Sequence, residues 1–311
     1  MQKSCLKYPV EFVEDVFGEK SKLAEVIGDS RVLIVADMNV VQRTQSLGIR
    51  IGSFVKANRI ALAGQPVVIT GGERIKTDNL QTAMRVAGAA IDSGVSAGDY
   101  ILALGGGTVL DVAGWVAAQV RGGVGIIRVP TTPAAMMGAA FASYASLDTM
   151  AVKDAFRLPS EPTAVLISVP FASTVLDGVW RAGMSEAVRL AVDKDTKTLQ
   201  ALSERAEAYG KRDMTALAEV VEMTVSLRRK KGGTELGLAA AAELEPKSAW
   251  KLPHGYAVAI GILIDVYYAV RAGKRPQADL DLCRSILETC GALDGARHSK
   301  HILPPELSDF W

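Results

Sequence analysis

The chain has 311 residues, enough to bury a core and to form two domains. Its 35 basic and 34 acidic side chains leave a formal net charge of +1, which excludes a bulk attraction to nucleic acid or to an anionic membrane. Its three cysteines have neither metal-ligand nor disulfide-framework spacing, and neither a membrane-length apolar run nor a signal-peptide core is present. We therefore expect a soluble, cytoplasmic protein.

Strand-like and helical segments alternate through the first half of the chain. In order, apolar runs predict strands at 8–13, 31–36, 65–70, 101–104, 124–129 and 162–168, and 3.6-residue spacing predicts helices at 78–93 and 108–118. This alternation indicates a largely parallel sheet covered by helices, with a loop at 133–148. From residue 174 onward the spacing is helical, with helices at 180–192, 199–209, 214–227 and 255–270.

The most informative stretch runs from residue 101 to residue 132. A predicted strand turns on Gly105-Gly106-Gly107 into a helix, and the next strand ends at Pro130-Thr131-Thr132. Glycines let the backbone approach a ligand closely, and a helix N-terminus offers free N–H groups and a positive dipole end to phosphate. A tight strand-to-helix turn without a ligand explains the three glycines equally well.

Polar residues follow two other predicted strands. Asp37 and Asn39 follow the strand at 31–36, where open α/β sheets bind ligands, and Asp37 also fits the N-cap of a helix. Glu73 and Lys76 follow the strand at 65–70 and share one helical face. They could contact a ribose, or they could form a solvated surface pair.

Six segments resemble, in the same order, the motifs of one family. They are GERIK at 72–76, GGGTVLDVAG at 105–114, RG at 121–122, PTT at 130–132, RAGMSEAVR at 181–189 and PHGYAVAIG at 253–261. By these motifs the chain resembles the sugar phosphate cyclases of the 3-dehydroquinate synthase superfamily, from about residue 8 to residue 270. An ordered series of motifs is more specific than any one of them.

The resemblance implies a fold, a cofactor and an assembly. The expected fold is an α/β N-terminal Rossmann-like domain of residues 1–162 and an all-α C-terminal domain of residues 163–311, with the active site in the cleft between them. Members of the family hold NAD and a divalent metal. They oxidise a hydroxyl transiently, eliminate phosphate, reduce the ketone again and close a carbocycle by aldol addition. We expect a homodimer that binds a small-molecule substrate.

The residues that the resemblance assigns to the cofactor are nearly all present. They match family contacts to the adenosine, ribose, diphosphate and nicotinamide parts of the dinucleotide. These residues are Asp37, Asn39, Glu73, Lys76, Gly106, Gly107, Asp111, Thr131, Thr132 and Thr174. We expect NAD as the cofactor, with NADP as the alternative.

The metal site is incomplete by the same comparison. The family holds its ion with one glutamate and two histidines, and Glu186 and His254 match two of these ligands, whereas Leu238 stands at the third position. The two remaining histidines, His298 and His301, lie in the C-terminal tail. Because a zinc site needs at least three protein ligands, we expect no bound metal.

Further positions also depart from the family. Ala242 replaces a second family histidine, Tyr144 and Arg189 stand where the family has lysine, and Asp148 and Asp154 stand where it has asparagine. Lys153 matches a family lysine. The candidates for catalysis and substrate binding are therefore Lys153, Glu186, His254, Tyr144 and Arg189.

Three functions remain open. The first is a metal-independent NAD(P)-dependent oxidoreductase or redox-assisted lyase of specialised metabolism, acting on a small polar or phosphorylated, sugar-derived substrate. The second is a metal-dependent sugar phosphate cyclase with a shifted third ligand, and the third is an inactive NAD-binding homologue. A catalytic metal contributes several kcal/mol and a proton-transfer histidine roughly 10²–10⁴-fold in rate, so their loss argues against a standard 3-dehydroquinate synthase. We expect the first function.

Overall fold

The computed structural model describes residues 4–295, which form two compact units. The sheet unit comprises Tyr8–Thr149 and Asp154–Val175. The helical unit comprises Met150–Lys153 together with residues 4–7 and 176–295. None of the helices within residues 4–295 is long and apolar enough to cross a membrane.

The sheet unit is built on a seven-stranded sheet whose strand pairs are parallel. Its strands are β1 (Val10–Phe12), β2 (Arg31–Asp37), β3 (Ala61–Leu62), β4 (Val67–Ile69), β5 (Tyr100–Gly105), β6 (Gly125–Pro130) and β9 (Ala164–Ile167). The order across the sheet is β1-β9-β6-β5-β2-β3, and β4 also pairs with β2. The middle strands are almost continuously buried, as parallel strands covered on both faces should be.

The predicted strands are confirmed, and three of them are shorter than predicted: 8–13 is limited to β1, 65–70 to β4 and 162–168 to β9. The strand predicted at 65–70 is limited to β4, because Pro66 has no N–H to donate to a neighbouring strand. The carboxyl ends of β4, β2, β5 and β6 therefore lie side by side at one edge of the sheet.

Helices cover this sheet. They are α1 (Lys22–Ile27), α2 (Met38–Arg43), α3 (Leu47–Ala57), α4 (Gln81–Asp92), α5 (Gly107–Gln119) and α6 (Pro133–Met137). The helix predicted at 108–118 is confirmed as α5. The helix predicted at 78–93 begins only at Gln81, since Asn79 and Leu80 have φ values of 57° and 67°, which a right-handed helix cannot accommodate.

The loop predicted at 133–148 is wrong. Its first part is helix α6, where Pro133 takes the first position and the Thr132 hydroxyl accepts a hydrogen bond from the Ala135 N–H at 3.2 Å. Its last part is strand β7 (Tyr144–Leu147), which pairs antiparallel with β8 (Phe156–Pro159). The two strands are separated by a long connection, so no tight-turn signal marks this hairpin in the sequence.

The compact sheet unit extends past the domain boundary predicted after residue 162. Strand β9 follows that boundary and pairs with both β1 and β6, so the unit reaches Val175. Where the chain would separate into independently folding domains stays a prediction.

Within residues 4–295 the helical unit contains no strand. Its helices are α7 (Asp177–Ala182), α8 (Met184–Lys194), α9 (Thr196–Gly210), α10 (Met214–Lys231), α11 (Leu238–Lys247), α12 (His254–Arg271) and α13 (Gln277–Thr289). The helix predicted at 180–192 is divided at Gly183 into α7 and α8. Trp180 and Tyr209 join α7 to α9, because each side chain donates a hydrogen bond to the other's backbone carbonyl, at 2.8 and 2.7 Å.

Candidate functional site

The glycine turn lies at the carboxyl end of β5. Gly106 precedes α5, and an added Cβ there would lie 3.0 Å from the Thr132 side chain. The Thr131 N–H donates to the Gly105 carbonyl at 3.0 Å, which joins this turn to the end of β6. The Thr131 hydroxyl is buried, and within residues 4–295 no hydrogen-bond partner reaches it. Bare backbone at a helix start and an unsatisfied hydroxyl are suited to a phosphate-bearing ligand.

Asp37 ends β2 beside this turn. Its carboxylate accepts from the Asn39 N–H at 2.8 Å, so it is the N-cap of α2, one of the two roles considered for it. An added Cβ at Gly71, after β4, would lie 2.3 Å from the Asp37 carboxylate. The next residue, Gly72, donates its N–H to the Thr108 hydroxyl at 3.2 Å. The strand ends that carry the predicted nucleotide residues are therefore neighbours.

Two further residues that the resemblance assigns to the adenosine and ribose, Thr174 and Glu73, lie in the turns after β9 and β4. Thr174 is buried at the end of the turn after β9, and its hydroxyl donates to the Phe171 carbonyl at 2.8 Å. Arg43 donates to the Thr174 carbonyl at 3.0 Å, which connects α2 to this turn. Glu73 lies in a short 3-10 helix after β4 and is half-buried. The roles of these residues toward a cofactor stay predictions.

Lys76 is buried among carboxylates, so the hypothesis that it forms a solvated surface pair with Glu73 is wrong. Its side chain is 3% exposed, and its Nζ lies 2.8 Å from Asp111, 3.6 Å from Asp148 and 4.0 Å from Asp154. Ser146 on β7 also accepts from this ammonium, at 3.3 Å. One cation therefore faces three carboxylates, two of them at positions where the family motif has asparagine.

The Tyr144 ring makes a cation–π contact with an arginine side chain. The guanidinium carbon of Arg157, on β8, lies 3.4 Å from the centre of the Tyr144 ring. The hairpin register sets Arg157 opposite Ser146, two residues along from Tyr144 on the same face. Arg157 therefore places a positive charge next to Tyr144, the position where the family has a lysine. Arg157 was not among the predicted site residues, because the pairing that brings it there is not visible in the sequence.

Glu186 and Arg189 lie on one face of α8. The Glu186 carboxylate is buried and accepts from the Arg189 guanidinium at 2.9 and 2.8 Å. Arg189 also donates to the Thr234 carbonyl. Burial alone would raise the pKa of Glu186, but the charges of Arg189, His254 and Arg228 outweigh it and hold the pKa below its ordinary value.

Lys153 and His254 share a carboxylate that sequence reasoning missed. Glu245 on α11 is fully buried, and its two oxygens lie 2.8 Å from the Lys153 ammonium and 2.7 Å from the His254 Nδ1. Burial raises the pKa of Glu245, but the charges and hydrogen bonds of His254 and Lys153 more than offset this and lower it to about 2. The available signal was its place at the end of segment 237–245, which aligns with the family segment GHTFGHALE and in which Leu238 replaces a histidine.

The residues at the family's metal position do not form a three-ligand site in the described chain. Leu238 begins α11, where the third ligand is expected, and Glu186 is bound to Arg189. Within residues 4–295, no group of three or more histidine, cysteine, aspartate or glutamate side chains is arranged to hold a metal ion. His298 and His301 lie outside the described residues.

Known proteins resemble this chain over most of its length. A family model described as 3-dehydroquinate synthase N-terminal matches residues 66–181, and one described as 3-dehydroquinate synthase C-terminal matches residues 183–297. The chain belongs to the 3-dehydroquinate synthase superfamily of sugar phosphate cyclases. The predicted superfamily is thereby confirmed.

Individual relatives of this superfamily are distant in sequence. A 3-dehydroquinate synthase of Rhodococcus opacus (strain B4) is 32% identical over 209 residues, which are 64% of this chain and 56% of the relative. One from Halorhodospira halophila (strain DSM 244 / SL1) is 28% identical over 301 residues, 91% of this chain and 80% of the relative. The match thus covers less than two thirds of the length of the Rhodococcus relative.

Solved structures share the fold. The 2-epi-5-epi-valiolone synthase ValA from Streptomyces hygroscopicus subsp. jinggangensis 5008, solved with NAD⁺ and Zn²⁺, has a TM-score of 0.77 at 21% identity and covers 94% of this chain and 88% of its own. A 2-deoxy-scyllo-inosose synthase complexed with carbaglucose-6-phosphate, NAD⁺ and Co²⁺ has a TM-score of 0.73 at 20% identity, over 96% and 85% of the two chains. The expected fold class, an α/β Rossmann-like part plus an all-α part, is confirmed.

Proposed function

We propose that the protein is an NAD-dependent enzyme of the sugar phosphate cyclase superfamily that works without a bound metal. Its substrate is a small polar or phosphorylated, sugar-derived molecule in specialised metabolism. The chemistry is oxidation of a substrate hydroxyl, either net or followed by elimination. The observation that carries the proposal is the pairing of Glu186 with Arg189 while Leu238 takes the third ligand position. The nucleotide residues are retained, whereas the ligand set is not.

The sheet unit supports dinucleotide binding. The backbone N–H groups at Gly106 and Gly107 and the unsatisfied hydroxyl of Thr131 suit a diphosphate, and Asp37 suits a ribose. NAD would supply a hydride acceptor for the carbon of the substrate hydroxyl. ValA and the 2-deoxy-scyllo-inosose synthase were both solved with NAD⁺, which favours it over NADP.

The helical unit supports proton transfer and charge stabilisation. His254 is half-buried at the start of α12 and is suited to take the proton of a substrate hydroxyl. The Lys153 ammonium is suited to stabilise the oxygen that loses that proton. Arg189 lies beside Glu186 and supplies a fixed positive charge at the position where the family binds its metal ion. In the sheet unit, Tyr144 on β7 is a further proton donor in the proposal.

A metal-dependent cyclase is the second candidate. Glu186 feels the charge of His254, so two residues that match family ligands are near one another. ValA was solved with Zn²⁺ and the 2-deoxy-scyllo-inosose synthase with Co²⁺. An inactive NAD-binding homologue is the third candidate. A homodimer and a cytoplasmic location stay predictions.

The proposal is tested on the purified full-length protein. Equilibrium dialysis should show one NAD⁺ bound per chain, and elemental analysis by mass spectrometry should find no stoichiometric zinc or cobalt. Gly106→Ala should weaken NAD⁺ binding by about tenfold or more, near 1.4 kcal/mol, since its Cβ crowds Thr132 where the backbone must approach the ligand. The matched control Gly88→Ala on α4, where an added Cβ meets nothing within 4 Å, should bind normally.

Two results would contradict the proposal. Absence of NAD⁺ uptake by the wild-type protein would remove its cofactor. One tightly bound zinc or cobalt ion per chain, lost in both Glu186→Ala and His254→Ala, would establish the metal-dependent cyclase instead. A change in nicotinamide absorbance with a sugar-derived substrate separates the proposed enzyme from an inactive homologue.

A further inference from the structure

Glu245 is a buried carboxylate that holds two basic side chains at once. Its side chain is fully buried, and each oxygen contacts a different base, Lys153 at 2.8 Å and His254 Nδ1 at 2.7 Å. Burying an ionised carboxylate is unfavourable unless partners of this kind compensate it. Glu245 is therefore held by, and in turn holds, two of the residues that the proposed function uses.

The surroundings of Glu245 fix its position. Its carbonyl accepts from the Trp250 N–H at 3.0 Å and from the Ser248 hydroxyl at 2.7 Å, which closes the turn after α11. The Trp250 indole N–H donates to the Met150 carbonyl at 3.0 Å, and its ring lies 5.5 Å from the Lys153 ammonium. The segment that carries Lys153 and the turn that leads to His254 thus meet at one carboxylate.

The contact with Glu245 determines which ring nitrogen of His254 carries a proton. An ammonium occupies one carboxylate oxygen, so the group is ionised and can only accept hydrogen bonds. The ring nitrogen 2.7 Å from the other oxygen must then be the donor. In the neutral imidazole the proton lies on Nδ1 and the lone pair on Nε2.

We propose that Glu245 is a positioning residue, which fixes His254 as the Nδ1–H tautomer and holds the Lys153 ammonium beside it. His254 then presents Nε2 as its proton-accepting atom. The effect on turnover rests on the proposed function, whereas the tautomer does not. A carboxylate that orients a histidine in this way is needed because an imidazole with the proton on the wrong nitrogen cannot act as a base at that site.

The tautomer is read directly by ¹⁵N nuclear magnetic resonance of histidine-labelled full-length protein. The chain has three histidines, so His254→Asn assigns the signal of His254 by its loss. The wild-type neutral ring should show the proton on Nδ1. In Glu245→Gln an NH2 donor replaces one of the two acceptor oxygens, so His254 and Lys153 can no longer each donate to an oxygen of its own. Its His254 signal should shift toward the Nε2–H tautomer, and kcat should fall by roughly 10²–10⁴-fold with KM little changed.

A matched variant controls for the substitution itself. Glu243 lies on the same helix, is exposed, and pairs with Lys247 at 3.1 Å, so Glu243→Gln should leave the His254 signal and kcat unchanged. A wild-type His254 with its proton on Nε2, or a Glu245→Gln spectrum identical to the wild type, would overturn the proposal even if NAD⁺ binds normally. The wild-type spectrum decides the tautomer even if Glu245→Gln fails to fold. Loss of NAD⁺ uptake in the wild type would overturn only the proposed function.

Discussion

At the scale of single residues, buried charges in both units are balanced by several partners each. Lys76 is a buried cation, with carboxylates from α5 and from both ends of the β7–β8 connection around it. Asp148 at this cluster has a fully buried side chain. A cluster of this kind adds little net stability as a whole but is costly to break, because removing one member leaves an uncompensated buried charge.

Lys76→Met should therefore destabilise the protein by about 3–5 kcal/mol, since it leaves Asp111 and Asp148 near one another without their cation. Urea unfolding followed by circular dichroism measures the change. Lys247→Met, which removes an exposed lysine that pairs with Glu243 across one helical turn, should leave the unfolding midpoint unchanged. A midpoint for Lys76→Met equal to that of this control would show that the carboxylates do not depend on the ammonium.

At the scale of secondary-structure elements, close backbone packing brings α11 against α12. Gly237 precedes α11 with a φ of 79°, and an added Cβ there would lie 2.9 Å from the Ile262 nitrogen. An added Cβ at Gly261, on α12, would lie 2.1 Å from the Gly237 carbonyl oxygen. Because Glu245 lies on α11 and His254 begins α12, this glycine contact sets the distance across which their side chains meet.

Gly261→Ala should cost about 1–3 kcal/mol through overpacking, because backbone atoms of α11 must move to admit the methyl group. It should also alter the ¹⁵N signal of His254. Gly88→Ala places the same methyl group in α4, where nothing lies within 4 Å, and should stabilise the protein by about 0.5–1 kcal/mol. Thermal unfolding of both variants measures the difference. Equal melting temperatures would mean that the two helices can separate freely.

At the scale of the whole molecule, carboxylates with lowered pKa values make stability depend on pH. Asp99 is one example: burial would raise its pKa, but hydrogen bonds from Arg31 and Ser96 outweigh burial and lower it. A carboxyl whose pKa is lower in the folded than in the unfolded state stabilises the fold above its unfolded value near 4. That contribution disappears as the pH falls through the folded-state pKa.

The free energy of unfolding should therefore fall as the pH drops below about 4. Asp99→Asn should lower stability at pH 7 and flatten the acid dependence, because the titrating partner of Arg31 is gone. Urea unfolding at a series of pH values tests this. Asp92→Asn, at an exposed position on α4, should keep the wild-type profile. An acid slope in Asp99→Asn as steep as in the wild type would assign the pH dependence to other groups.

The amino-acid sequence by itself determined the central sheet, the glycine turn and the superfamily. Buried parallel strands are continuous apolar runs, and the turn after β5 needs glycines in consecutive positions, so both leave local patterns. The ordered motifs then pointed to one superfamily, which the family models confirm. The sequence also shows Leu238 where the family motif has a histidine, and the absence of a bound metal stays a prediction.

Only the tertiary structure decided which charges meet. Strand β7 pairs with β8 across a long connection and brings Arg157 onto Tyr144, and no local pattern encodes that pairing. The place of Glu245 in the sequence does not show that its carboxylate is buried between Lys153 and His254. The physical reason is the sequence separation of the partners. Hydrophobic periodicity shows which face of a single helix or strand is buried, whereas charged side chains that contact each other come from segments far apart in the chain.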